Sequence, residues 1–280
     1  MNPQGPLTGA EVWLLPEAEV DGLTEQARSV LSADEHARWT RLRSEAARRR
    51  HLGARLLCRS VLGAYTSTPA QQLCFMQGDF GRPELLPNPS GLRFNLSHTD
   101  GLIVCAVTDG LLCGVDVERT DVDPNVAGYA MERFTPAERA RLEAADPVRR
   151  ARDFLDVWVL KEAYTKALGV GLQYGFDAFQ LGPDSRGKVV LNDPRLPGPE
   201  AGRWQFGLST TGTGHRLAVA VRRHGNSRAP VPVPQRLFTT EVLGRCTEVG
   251  IGAPPSVGSS PSATSATPSP ASTSAPPKAC

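Results

Sequence analysis

Twice along this chain, a helix-like segment is followed by a Leu-Ser pair, a polar turn and an apolar strand. The helix-like segments are residues 48–65 and 152–169, and the segments that begin with Leu-Ser are residues 96–110 and 208–225. Both helix-like segments carry apolar residues at i, i+3 and i+4 and stop at a glycine or a turn. This arrangement predicts an α+β fold, a pseudo-dimer of two similar halves with a helix packed on an antiparallel sheet in each. A cleft between such halves commonly holds a ligand. Chance similarity between the segments is the alternative.

The predicted halves span residues 8–118 and 119–224, and the composition changes abruptly after them. Residues 225–280 are rich in Pro, Ser, Thr and Ala, which bury too little apolar surface to offset chain entropy. We therefore predict a disordered tail over 225–280, with a short ordered patch around RLFTTEVLGRC. In the first half AEVWLLP is predicted to form a strand, and in the second half GKVVLN (187–192) and RWQFGLS (203–209) are predicted to form a hairpin.

The segment GVDVER, which begins at Gly114, places two acids two residues apart in an apolar strand. Because successive side chains of a strand face opposite ways, Asp116 and Glu118 share one face while Val115 and Val117 share the other. The two acids are separated by roughly 6.6 Å along the strand. Both are then able to reach one hard cation, directly or through water. A strand with one solvated face is the alternative explanation.

The second helix-like segment, residues 152–169, contains a third candidate acid, Glu162. Trp158, Glu162 and Lys166 follow one another at four-residue intervals and lie along one side of the helix, with Lys161 beside them. An ordinary helix salt bridge between Glu162 and Lys166 is one interpretation. The apolar neighbours indicate a half-buried helix, however, and a buried glutamate needs a partner. A third carboxylate from Glu162 would complete the site begun by Asp116 and Glu118. Three carboxylates suit Mg²⁺, which binds phosphates and keeps waters.

Groups that bind phosphate are also present along the first half. Arg82 lies in a Gly-Arg-Pro turn, and Ser97 and His98 follow the strand LRFN. Residues 38–59 hold eight arginines against one acid. This basic stretch is compatible with a solvated helix, a nucleic-acid patch or a site for an anionic small molecule. It lacks the interleaved aromatic residues that are typical of single-strand binding.

The overall charge and apolar content argue against several classes of protein. Lys and Arg total 31 against 29 Asp and Glu, so no global basic field favours nucleic acid. No apolar run approaches the ~20 residues needed to span a bilayer. The first residues lack the basic and apolar regions of a signal peptide, and the six scattered cysteines include no C-x-x-C pair. We expect a cytoplasmic monomer that binds neither nucleic acid nor a membrane.

Three motifs, in this order and spacing, connect the chain with a known family. FNLSHTDG, GVDVER and WVLKEAYTKALG resemble the motifs of the large 4′-phosphopantetheinyl transferases of the surfactin-synthetase-activating (Sfp) type. The family pattern is approximately (I/V)-G-(I/V)-D-(I/V)-E, followed by W-x-x-K-E-(A/S)-x-x-K. In addition, RFTPAE (133–138) resembles the family's F-(S/T)-x-x-E element, and Gly-Arg-Pro (81–83) stands where the family often has Gly-Lys-Pro. The resemblance covers roughly residues 10–224.

The resemblance implies transfer of phosphopantetheine from coenzyme A to a serine of an apo acyl or peptidyl carrier protein, with release of adenosine 3′,5′-bisphosphate. It implies Mg²⁺ bound by Asp116, Glu118 and Glu162, with Glu162 also the general base for the carrier serine. Lys166 would stabilise or protonate the leaving phosphate. The implied fold is the pseudo-dimer described above, with the active site in the cleft between its halves.

The side chains expected to bind coenzyme A are cationic or carry a hydroxyl or imidazole group. They are Arg38, Arg48, Arg82, Ser97, His98, Lys161 and Lys166. Arg38 or Arg48 is expected at the 3′-phosphate. Two alternative functions use the same residues, a metal-dependent pyrophosphate hydrolase and a non-catalytic coenzyme A-binding regulator. Loss of Glu162 or Lys166 would favour the regulator, and both residues are present.

Overall fold

The computed structural model describes residues 7, 9–78, 80–121, 128, 130–225 and 230–243. The helices are α1 (Thr24–Ser29), α2 (Ala33–Arg41), α3 (Glu45–Thr66), α4 (Pro136–Glu143) and α5 (Pro147–Leu168). The strands are β1 (Ala10–Pro16), β2 (Phe75–Gln77), β3 (Pro83–Leu85), β4 (Arg93–Thr99), β5 (Leu102–Thr108), β6 (Cys113–Glu118), β7 (Gln180–Pro183), β8 (Val189–Asn192), β9 (Trp204–Thr210), β10 (Arg216–Arg222) and β11 (Gln235–Leu237). Among these residues, no helix is long and apolar enough to cross a bilayer.

Two sheets and two long helices form four layers. The first sheet has the order β11-β1-β5-β4, and the second has the order β6-β10-β9. Helix α3 packs on the outer face of the first sheet through residues such as Leu57, and α5 covers the outer face of the second through residues such as Val159. The inner faces pack against each other through alternate residues such as Val104 and Val115. The predicted α+β class is confirmed, whereas the pseudo-twofold relation between the halves stays a prediction.

Strand β6 belongs to the second sheet rather than to the N-terminal half. It pairs antiparallel with β10, with Val115 opposite Val219 and Asp116 opposite Ala218. The predicted boundary at residue 118 therefore needs correction, since it separates β6 from its own sheet. The chain passes from the first sheet to the second between β5 and β6.

The predicted hairpin of residues 187–192 with residues 203–209 is wrong. Strand β8 pairs with β7, and β9 pairs with β10. The turn between β7 and β8 explains the choice, because Asp184 Oδ1 accepts from the backbone N–H groups of Arg186 and Lys188 at 2.8 and 3.0 Å. Gly187 closes this turn with a φ of 77°, a conformation that glycine adopts readily.

Part of the predicted tail is folded, so the boundary at residue 225 is also corrected. Strand β11 pairs parallel with β1, and Phe238 is fully buried against the first sheet. Arg236 donates to both carboxylate oxygens of Glu11, at 2.7 and 2.9 Å. The expected ordered patch thus includes residues 235–243, while residues 244–280 lie outside the described part of the chain.

Candidate active site

The two acids of GVDVER lie where the edges of the two sheets meet. Val115 and Val117 point into the core between the sheets, which leaves Asp116 and Glu118 on the face of β6 that α5 covers. This is the arrangement that strand alternation predicted. Asp116 is buried and Glu118, the last residue of β6, is half-buried.

Strand β4 supplies a hydroxyl to each of these acids. Ser97 Oγ donates to Asp116 Oδ1 at 2.9 Å, and Thr99 Oγ1 donates to Glu118 Oε2 at 3.1 Å. The two hydroxyls are two residues apart in β4, and the two acids are two residues apart in β6. The pairs therefore lie side by side across the seam, the line along which β4 and β6 meet. Ser97 was predicted at the site and Thr99 was missed, although its position two residues after Ser97 was a readable signal.

Helix α5 approaches β6 so closely that the strand needs a glycine. A Cβ atom on Gly114 would lie 2.0 Å from the carbonyl oxygen of Ala163 and 2.4 Å from the backbone nitrogen of Ala167. This close approach brings the Glu162 and Lys166 side of the helix to the carboxylates of β6. The glycine of the motif is therefore explained by packing.

Lys166 makes the direct connection between the helix and the strand edges. Its Nζ lies 2.5 Å from Asp116 Oδ1 and 3.0 Å from Ser97 Oγ. The other carboxylate oxygen of Asp116, Oδ2, is buried and has no hydrogen-bond partner among the described residues. Glu118 and Glu162 are near enough for the charge of Lys166 to act on both carboxyl groups.

Burial and mutual repulsion change the acidity of the glutamates. Burial, and then the nearby Asp116 carboxylate, raise the pKa of Glu162 to about 7, although Lys166 acts in the opposite direction. The same two causes raise the pKa of Glu118, while hydrogen bonds from Thr99 and Trp158 and the charge of Lys166 oppose them. A cluster with excess negative charge of this kind favours a bound cation.

His98 lies on the face of β4 opposite to Ser97. Leu96 packs with the core under α3, so strand alternation places His98 on that side and Ser97 on the side of Asp116. Partial desolvation and the Arg50 guanidinium lower the pKa of His98. The two neighbours predicted to act together therefore face different sides of the strand.

Arg82 is committed to the backbone, which corrects its predicted role at a phosphate. Its Nη1 donates to the carbonyls of Lys166 and Ala167 at 2.7 and 2.9 Å, and its Nη2 donates to one carbonyl each of β4 and β6 at 3.1 and 3.3 Å. Its Nε lies 3.1 Å from Glu84 Oε1. The four N–H groups of Nη1 and Nη2 all donate to backbone carbonyls, so the side chain ties the end of α5 to both sheets.

Lys161 lies in the core that α5 forms with the second sheet, which corrects its predicted role at coenzyme A. Its side chain is inaccessible to solvent, and Nζ lies 2.9 Å from Glu138 Oε2. Nζ also donates to the carbonyls of Phe176 and Phe179 at 2.7 and 2.6 Å. Glu138 caps α4 with Thr135, so RFTPAE is a helix start anchored by a lysine of the next helix.

Arg38 and Arg48 are exposed, and no contact joins either of them to Ser97 or Asp116 in the described chain. Arg48 Nε instead donates to the carbonyl of Leu42 at 2.8 Å. Of the arginine-rich stretch, Arg50 is the residue with the largest charge effect on His98. Sequence reasoning included Arg50 in the stretch but had no signal to distinguish it from its neighbours.

Comparison with known proteins agrees with this architecture. Residues 21–109 match the family model of the 4′-phosphopantetheinyl transferase N-terminal domain, and residues 112–221 match that of the 4′-phosphopantetheinyl transferase superfamily. The two matches meet between β5 and β6, where the structure changes sheets.

Several relatives carry the same description. The 4′-phosphopantetheinyl transferase HetI of Nostoc sp. is 32% identical over 163 residues, which cover 58% of this chain and 69% of that protein. The phosphopantetheinyl transferase of a Thraustochytrium species is 28% identical over 254 residues and covers 85% and 88% of the two chains. The 4′-phosphopantetheinyl transferase Sfp of Bacillus subtilis is 26% identical, with 62% and 76% covered.

Among solved structures, a holo-(acyl-carrier-protein) synthase of Bacillus anthracis in complex with coenzyme A (3′,5′-ADP) matches 41% of this chain and 98% of its own. Its TM-score is 0.35 and its identity 21%, a match too partial to add to the sequence comparisons. From its family matches and relatives, the chain belongs to the 4′-phosphopantetheinyl transferase superfamily and is an enzyme of that class, as its three ordered motifs predicted.

Proposed function

We propose that the protein transfers the 4′-phosphopantetheine arm of coenzyme A to a serine hydroxyl of an apo acyl or peptidyl carrier protein. The serine oxygen bonds to the phosphorus that carries pantetheine, and the bridging P–O bond of the pyrophosphate breaks. Adenosine 3′,5′-bisphosphate leaves with the bridging oxygen. The observation that carries this proposal is the cluster of Asp116, Glu118, Glu162 and Lys166 at the seam of the two sheets.

Glu162 is the group suited to remove the serine proton. A general base works best when its pKa is close to the working pH, and burial beside Asp116 raises the pKa of Glu162 to about 7. Lys166 is four residues away on the same side of α5, where its ammonium group is placed to stabilise the leaving phosphate. Ser97, which Lys166 contacts, would turn its hydroxyl from Asp116 to the same phosphate.

The chemistry of the donor set fits Mg²⁺. Asp116, Glu118 and Glu162 would hold the ion, because Asp116 Oδ2 lacks a hydrogen-bond partner among the described residues and burial, then the Asp116 charge, raise the pKa of both glutamates. When bound, Mg²⁺ would neutralise charge on the pyrophosphate during transfer. In the structure as described, no three acids, histidines or cysteines are already arranged around one point, so the side chains must rotate to chelate it.

The phosphates of coenzyme A would lie between the seam and the N-terminal part of α3. Lys166 and Ser97 would contact them from one side, and His98 with Arg50 from the other, since each pair lies close together. Arg82 and Lys161 are removed from this set because their donors bind other groups of the protein. Arg38 and Arg48 stay predictions for the 3′-phosphate.

A mass measurement tests the proposal directly. The purified protein is incubated with Mg²⁺, coenzyme A and several apo carrier proteins, and carrier mass should increase by about 340 Da, the mass of the transferred arm. Asp116→Ala and Glu162→Gln should abolish the increase without unfolding the protein. Glu143→Gln, a change at an exposed glutamate of α4, is the matched control. The proposal fails if no carrier of either type gains mass.

The same reaction separates the alternatives. A pyrophosphate hydrolase would release adenosine 3′,5′-bisphosphate without any carrier, whereas a non-catalytic regulator would bind coenzyme A and release nothing. Glu162 and Lys166 support turnover over simple binding, because both chemical groups are present and close to the carboxylates. A cytoplasmic location and a monomeric state remain sequence-based expectations.

A further inference from the structure

Thr99 contacts one carboxylate of the cluster formed by Asp116, Glu118, Glu162 and Lys166, and the proposed reaction gives Thr99 no role. Its hydroxyl donates to Glu118 Oε2 at 3.1 Å across the seam between β4 and β6. Ser97 makes the corresponding contact with Asp116, but Ser97 also contacts Lys166. Thr99 therefore contacts a carboxylate of the cluster and not Lys166, which makes its contribution separable from that of Lys166.

Glu118 is the last residue of β6, and apart from Thr99 and the indole of Trp158 its polar neighbours bind elsewhere. Arg216 lies opposite Glu118 on the paired strand β10, but its guanidinium binds Asp156. Its Nε and Nη2 donate to the two Asp156 carboxylate oxygens at 2.5 and 3.0 Å. Arg119, the next residue in the chain, binds Asp100 and Asp121. Without a hydroxyl from β4, the three torsions of the Glu118 side chain would be less restrained.

Threonine is well suited to hold a carboxylate in one orientation. Its branched Cβ restricts χ1, so a hydroxyl fixed on the pleat of β4 points in a defined direction. The Thr99 hydroxyl uses one lone pair of the Glu118 carboxylate and the Trp158 indole uses another, which leaves lone pairs for a cation. Groups that hydrogen-bond to metal-binding carboxylates typically change metal affinity 10–100-fold when they are removed.

We propose that Thr99 is a positioning residue for the binding of a divalent cation. Its hydroxyl holds the Glu118 carboxylate on the side of β6 that Asp116 also occupies. The inference rests on the proposed function, since it requires Asp116, Glu118 and Glu162 to bind the cation. Thr99 is not one of the predicted metal ligands, and its proposed role is to increase the affinity for the cation. It takes no part in proton transfer.

The experiment measures binding of Mn²⁺ alone to the full chain without coenzyme A, from the loss of the free-ion electron paramagnetic resonance signal. Manganese is used because carboxylate and water ligands suit it as they suit magnesium. Thr99→Val removes the hydroxyl and preserves the side-chain shape, and it should weaken Mn²⁺ binding 10–100-fold. Thr99→Ser keeps the hydroxyl and should stay within about threefold of the unmodified protein. Thr40→Val, on the exposed side of α2, is the control for a threonine substitution as such.

A second measurement separates positioning from general damage to the fold. In the transfer reaction, Thr99→Val should raise the Mg²⁺ concentration needed for half-maximal rate while kcat at saturating Mg²⁺ stays close to that of the unmodified protein. If Thr99→Val does not fold, Thr99→Ala takes its place against Thr99→Ser.

Each outcome decides the inference. Equal Mn²⁺ affinity of Thr99→Val and the unmodified protein overturns the role of Thr99 and leaves the proposed transfer reaction intact. Equal loss in Thr99→Ser and Thr99→Val overturns the role of the hydroxyl. If the unmodified protein binds no Mn²⁺, the cation site itself is wrong and the inference falls with it, while the mass measurement on carriers still decides transfer.

Discussion

Replacing Glu162 by glutamine should make the cation-free protein more stable at alkaline pH. The carboxylate is half-buried beside Asp116, and its pKa of about 7 in the folded protein compares with an ordinary value of 4.5. At about 1.4 kcal/mol per pKa unit, ionising Glu162 costs the fold about 3 kcal/mol. Glutamine keeps the shape and has no charge to ionise, so this cost disappears.

The sign of the pH dependence follows from proton binding. Below pH 4.5 the carboxyl group is protonated in both the folded and the unfolded chain, so it contributes nothing. Between about pH 4.5 and 7 the unfolded chain releases its proton first, and the stability of the fold decreases as pH rises. Above about pH 7 the full cost is present and constant.

The assay is urea denaturation in the presence of a chelator at pH 5 and pH 8.5. The free energy of unfolding of Glu162→Gln minus that of the unmodified protein should be about 2–3 kcal/mol larger at pH 8.5 than at pH 5. Any packing cost of glutamine cancels in this comparison, because it is the same at both pH values. Equal differences at the two pH values would refute our account of the site, and Glu143→Gln serves as the control.

Three further substitutions test the packing around the site. Gly114→Ala should cost about 3 kcal/mol or more in urea denaturation, since its Cβ would lie 2.0 Å from the Ala163 carbonyl oxygen; a cost below about 1 kcal/mol would contradict the close approach of α5. Phe238→Ala should lower the free energy of unfolding by about 3–5 kcal/mol. An unchanged free energy of unfolding would show that residues 235–243 do not pack on the first sheet. Lys161→Met should cost about 3–5 kcal/mol because Glu138 stays buried without its cation. Adding Glu138→Gln, which removes the charge and keeps a carbonyl oxygen for the helix cap, should recover part of the loss; additive costs would contradict the ion pair.

The local parts of the site were readable from the sequence. The shared face of Asp116 and Glu118 follows from alternation in a strand, and the shared side of Glu162 and Lys166 follows from helical spacing. Both patterns involve residues no more than four positions apart. The family motifs then connected the two segments, which spacing alone does not do.

The incorrect predictions concerned side chains whose partners are far away in the chain. Arg82 binds carbonyls at Lys166 and Ala167, which no local pattern connects with a Gly-Arg-Pro turn. Lys161 follows the same helical pattern as its neighbour Glu162, yet one position on a helix rotates a side chain by roughly 100° and turns it into the core. The hairpin error was different, because the turn signal of Asp184 and Gly187 was local and was overlooked.

Strand β11 also has a consequence for how the protein is made. Its partner β1 leaves the ribosome about 220 residues earlier, which at 5–20 residues per second corresponds to roughly 10–45 s of synthesis. Once β5 has been made, β1 pairs with it on one side only, and until β11 follows its other edge is open to strands of other chains. Nascent chains that stop before residue 235 keep this open edge permanently, so we expect premature termination late in synthesis to give aggregation rather than a shortened enzyme.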